Sequence, residues 1–98
     1  MMHEIVIGGN QYGIRCDMNV IEEIEDHFGS IDGITEKRTI KAAKFLAAAM
    51  INEQNYFAHS PERVTPEWVG AQMMPTEYAA AWQGLIQCFV DSINVKKK

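Results

Sequence analysis

Ninety-eight residues make one small domain, here a single unit over 1–98, with little room for a second core. Hydrophobic residues make up 47% and charged residues 22%, ordinary globular proportions that argue against wholesale disorder. The net charge of −4 becomes −7 once the three terminal lysines are set aside (six basic against thirteen acidic residues), a balance that repels a phosphate backbone rather than attracting it.

The chain opens on MMHEIVIGGNQYG, which has no basic segment followed by an apolar core and so does not read as a secretory signal. Residues 4–15 predict a β-hairpin. With Gly9-Asn10 as its turn, Ile7 pairs with Tyr12 and Ile5 with Ile14, which gathers Ile5, Ile7, Tyr12 and Ile14 on one face. A lone hairpin is marginal in water, so this one must lie on helices or on another copy of itself, which leaves self-association open.

The remaining body, 17–93, predicts about four helices, giving a mainly α fold with a short N-terminal hairpin. The first spans about Asn19 to Phe28, capped by Asp17 or Asn19, with Ile21, Ile24 and Phe28 as its apolar stripe and Gly29 as its C-cap. Glu22, Glu23, Glu25 and Asp26 ring its other faces and read as a solvated surface. SIDGIT, 30–35, reads as a turn. The second helix runs from about Lys37 or Thr39 to Asn52, with Ile40, Ala43, Ala47, Met50 and Ile51 buried. Its lysines Lys37, Lys41 and Lys44 share an outer face, but without arginine or interleaved aromatics they give little nucleic-acid signal. NEQNYFAHSPERV is expected to be a loop. Thr65-Pro66-Glu67 starts a third helix that stops before Pro75, and Thr76 is expected to cap the fourth, Glu77 to Ile93. Residues 94–98 are expected to be a frayed basic tail. The longest apolar run, FLAAAMI, falls far short of the roughly 20 residues a membrane span needs.

Reactive constellations are missing from this pattern. His3, His27 and His59 are scattered, no His or Cys pair has metal-ligand spacing, and Gly8-Gly9 belongs to neither a dinucleotide nor a P-loop motif. No catalytic, cofactor or metal residue is assigned, and the expectation is a non-enzyme. Cys16 and Cys88 fit a reducing compartment as buried free thiols, and can pair only if the fold brings them together. Trp68, Met73, Met74, Tyr78 and Trp82 cluster around Pro75. Such residues build small cores and also partner-binding patches, with Met73 and Met74 the ones to be shared between the two roles.

The order of these parts carries a resemblance. Gly8-Gly9-Asn10-Gln11-Tyr12, Ile14-Arg15, Asp17-Met18-Asn19 through Glu25, Phe28-Gly29-Ser30 and Val64-Thr65-Pro66-Glu67-Trp68-Val69-Gly70 stand in sequence, with the Ala-rich helix between and an amphipathic helix last. In this arrangement the chain resembles the tail assembly chaperones of long-tailed bacteriophages and prophages over nearly its whole length. It departs from their pattern in the NYFAHS segment and in Ala79-Ala80-Ala81. The resemblance implies a protein of the host bacterial cytoplasm that binds the tape measure protein and tail tube protein during tail assembly and is absent from the mature virion. It also implies a longer form made by ribosomal frameshifting. Lys96-Lys97-Lys98 is compatible with an A-rich slippery site, and more readily with an ordinary solvated tail. Two other classes remain: a small phage regulatory or nucleic-acid-binding protein, and a structural tail or head-completion component.

Overall fold

The two adjacent glycines after Ile7 set the geometry of the N-terminus. In the computed structural model, which describes residues 3–36 and 38–93, Gly8 and Gly9 have φ of 61° and 84°. Both central positions of the tight hairpin turn need positive φ, which two adjacent glycines adopt at no steric cost. The turn is therefore Gly8-Gly9, not the expected Gly9-Asn10. Strands β1 (His3–Ile7) and β2 (Asn10–Ile14) pair antiparallel with Ile7 opposite Asn10, Ile5 opposite Tyr12 and His3 opposite Ile14. Each partner moves by two positions from the expected register, which preserves the side-chain alternation. Ile5, Ile7 and Ile14 are accordingly still buried together, with Tyr12 packed beside them.

Helix α1 (Met18–Phe28) is capped by Asp17, whose carboxylate accepts from the Val20 amide, and ends on left-handed Gly29. Asn19 does not cap; its side-chain amide donates to Glu53 at 3.1 Å. The buried stripe is Val20 and Ile24, with Ile21 and Phe28 only half-buried, so the helix is rotated from the expected Ile21–Ile24–Phe28 face. In the predicted turn, Gly33–Glu36 forms a four-residue helix, α2, that sinks Ile34 completely into the core.

Helix α3 (Ile40–Phe57) is capped by Thr39 and runs five residues past the expected end at Asn52. Its polar last turns grip the returning chain instead of unwinding. Asn52 exchanges two hydrogen bonds with the backbone of Val64, at 2.7 and 2.8 Å, and Asn55 donates to the Glu62 carbonyl. Those carbonyls and amides would otherwise need water. Ala42, Ala43, Leu46, Ala47, Ala48, Met50 and Ile51 are buried along α3. Ile40, expected among them, is not.

Helix α4 (Pro66–Gln72) starts as expected, with the Thr65 hydroxyl accepting from the Trp68 amide and Pro66 in its first turn. A 3₁₀ turn, Pro75–Glu77, leads into α5 (Tyr78–Ile93). Thr76 is exposed and is not the cap; the Glu77 carboxylate takes the free Met74 amide in its place. Trp82, Leu85, Cys88 and Phe89 are the buried side of α5, while Ile93, expected on the same stripe, is 45% exposed.

The hairpin lies with β1 against α5 and β2 against α3, where the Arg15 amide donates to the Met50 carbonyl. The inner faces of hairpin, α1, α3 and α5 enclose one apolar cluster that also takes in Ile34 and Val69. Among the described residues no polar or charged residue is buried, and no helix is long and apolar enough to cross a membrane. Lys37 and the basic tail at 94–98 lie outside the described residues.

Candidate interaction groove

The five aromatic and methionine residues around Pro75 go to three different places. Trp82 is 5% exposed and belongs to the core. Trp68, half-buried, turns toward the hairpin and meets Tyr12 edge to face, with ring centroids 5.4 Å apart. Met73, Met74 and Tyr78 come together along an open groove of about 300 Å³ between the start of α3 and the α4–α5 junction. Val69 and Ala43 line its floor, and Ile40 stands on the opposite rim. Ile40 and Met74 are 66% and 54% exposed.

Sequence reading missed Ile40 because helical spacing aligned it with Ala43 and Ala47. The usable signal is its position directly after the Thr39 cap: a first-turn residue lies beyond the end of the core that the rest of the stripe reaches. Lys44 was placed on an outer, solvated face, yet it borders the groove.

The walls are held by hydrogen bonds. The Trp82 indole donates to the Tyr78 hydroxyl at 2.9 Å, and that hydroxyl makes a longer contact, 3.4 Å, with the Arg38 carbonyl. Glu77 ties the opposite wall to the hairpin: Oε1 accepts from the Met74 and Gly8 amides and Oε2 from Gly9, each at 2.8 Å. The hairpin turn thus has a structural task, docking on the α4–α5 junction.

Hydrogen bonds from the Met74 amide, then Gly8 and Gly9, hold the Glu77 carboxyl below its ordinary value of 4.5. A group with a lowered folded pKa contributes stability above its unfolded value and loses it as pH falls through the folded one. Glu77→Gln is therefore expected to lower the urea midpoint at pH 7 and to narrow its gap to the parent as pH drops from 4.5. An equal gap at pH 7 and pH 3 would contradict the role of the charge.

A second hollow, about 350 Å³, lies between His3, Arg15, Phe57 and the end of α5. His3 Nε2 is 2.7 Å from Asp91, and the Arg15 guanidinium sits 3.8 Å over the Phe57 ring. Cys16 and Cys88 both line it as free thiols. Burial pushes both up, Cys88 to about 12 and Cys16 against an opposing hydrogen bond from Ser92. Since the thiolate is the nucleophile, both should react with a disulfide reagent more slowly at pH 8 than in urea, Cys88 by at least about tenfold. Rates matching the unfolded chain would show that the hollow opens readily. Among the described residues no group of three or more His, Cys, Asp or Glu side chains is placed to hold a metal ion.

Comparison of the chain with protein-family models, with curated proteins and with solved structures finds no match.

Proposed function

We propose that this chain is a tail assembly chaperone of a long-tailed phage or prophage, holding the tape measure protein in the host cytoplasm until tail tube subunits displace it. The observation that carries the reading beside the resemblance is the groove. Ile40 and Met74 are large apolar side chains left in water over a shared apolar floor, on walls fixed by Glu77 and Tyr78. A surface of that kind masks a partner's apolar stripe reversibly, and the methionines adapt to stripes of varied shape. No covalent step is needed for this task.

The test is affinity capture of the tagged full chain from induced cells, with mass spectrometry of both the captured proteins and purified particles. The expected result is a very long, helix-rich protein in the capture and none of this chain in the particles. A fixed copy number in the particles would make it a structural component instead.

One observation favours a nucleic-acid reading: Lys41 and Lys44 line one hollow, Arg38 precedes Lys41 by three residues, and all three stand outside any described ion pair. Against it stand thirteen acidic residues. A salt titration decides, since phosphate binding weakens steeply with salt. The expected result is no measurable duplex-DNA affinity at physiological ionic strength.

A further inference from the structure

Scattered exposed apolar residues are ordinary on a protein surface; two of them facing each other across one apolar groove are not. Charge marks this groove as well. Five Lys and Arg residues lie in the described part of the chain: Arg15, Arg38, Lys41, Lys44 and Arg63. Arg15 is engaged by Asp17 and Phe57, and Arg63 by the Ser60 and Glu62 carbonyls. Of the other three, Lys44 lines the groove, Lys41 shares an adjoining hollow with it, and Arg38 lies two residues before Ile40.

Lys44 is placed there by α4. A Cβ on Gly70 would lie 2.7 Å from Lys44 Cδ and 3.5 Å from its Nζ, so the lysine stem lies across the bare glycine with its ammonium at the edge of the apolar floor. Lys41 is exposed one residue after Ile40. Arg38 meets Tyr78 through its backbone carbonyl and lines a separate hollow beside α5. Carboxylates near the groove leave these cations unanswered. Glu77 is turned to the Met74, Gly8 and Gly9 amides, and Glu67 shares a shallow hollow with Lys41 and Lys44 without an ion pair to either. The acidic cluster of α1 makes no ion pair with them. Among the described cations not otherwise engaged, Lys44 lines the exposed apolar surface and Lys41 neighbours it.

We infer that the groove takes an amphipathic helix whose apolar stripe is flanked by carboxylates, contributed by the client that the proposed chaperone holds. This rests on the chaperone reading for the identity of the client and on charge complementarity for its chemistry. The apolar stripe supplies contact area, and the flanking acids meet Lys44 and Lys41, which sets orientation and rejects basic helices. The fixed walls mean little ordering on binding.

The test uses two synthetic helical peptides of about 18 residues, five turns, with identical leucine stripes, one flanked by glutamates and the other by lysines. Fluorescence anisotropy against the full chain is expected to give the glutamate peptide at least about tenfold tighter binding, about 1.4 kcal/mol. The charge reversal Lys41→Glu/Lys44→Glu should invert the preference, and Met74→Glu should weaken the glutamate peptide about tenfold. Val6→Glu, on the outer face of the hairpin, should change nothing. These positions are at the surface or half-buried, and circular dichroism of each variant confirms its fold. Equal binding of both peptides, or glutamate-peptide binding that survives both groove variants, overturns the inference. So does self-association that Met74→Glu abolishes in a parent chain that binds neither peptide, because the occupant is then a second copy. The two readings fail separately. Client capture unchanged by the groove variants removes the groove and leaves the chaperone, while peptide binding as expected with no client captured removes the chaperone and leaves the groove.

Discussion

Leu85→Ala is expected to destabilise the chain by about 2–5 kcal/mol, the range for emptying a fully buried leucine site. Leu85 has no exposed surface and sits mid-way along α5, the helix that packs directly against β1. The shell around it is poorly able to collapse, because the neighbouring α5 core positions Trp82, Cys88 and Phe89 are themselves fixed in the same cluster. A domain of this size holds only about 5–15 kcal/mol in total, so the variant should approach unfolding near physiological temperature. Thermal denaturation by circular dichroism reads it, at roughly 4–8 °C per kcal/mol for a domain of up to about 100 residues. A loss under about 1 kcal/mol would mean that the core around Leu85 is loosely packed and collapses into the vacated space.

Gly8→Ala is the second large effect, expected at about 1–3 kcal/mol. Two independent penalties meet at this position. Its φ of 61° is one that a side chain disfavours, and an added Cβ would stand 2.9 Å from the Gln72 backbone carbonyl oxygen. A backbone oxygen cannot swing aside as a flexible side chain can, so the turn itself must lift from the end of α4. Lifting it strains the Gly8 and Gly9 bonds to Glu77, so the damage should extend to the groove wall. Gly9→Ala is the internal control. Its φ is 84° but nothing lies within 4 Å of the added carbon, so only the conformational penalty applies. Equal losses for the two variants, measured by urea denaturation, would remove the docking contact from the explanation.

What the sequence disclosed follows from how local each signal is. The hairpin, the Thr39 and Thr65 starts and the Gly29 stop are each decided by a residue's own backbone preference or by a side chain reaching its next amides. The exact turn depended on two positive φ values side by side, and Asn10 looked as suitable for one of them as Gly8. The end of α3 was misread because Asn52 and Asn55 are polar in both a loop and a helix. Only the approach of Val64 and Glu62 shows what their side chains hold. Helix α2 is too short to show any period.

The groove was half legible. Pro75 marks the bend that brings Met73, Met74 and Tyr78 together. Trp68 and Trp82 have the same character in sequence but are spent on the hairpin and the core. Which aromatic turns inward is a matter of tertiary packing. Ile40 and Lys44 join the groove only because α4 crosses the start of α3 there.

The central claim is that this chain keeps an apolar helical client soluble by covering it. The most direct measurement is co-expression of the full chain with the tape measure protein of the same phage or prophage, followed by the soluble fraction and copurification. The result expected is a client that is insoluble alone, becomes soluble with this chain and is retained on it. A client that stays insoluble beside an equal amount of the folded chain would contradict the claim.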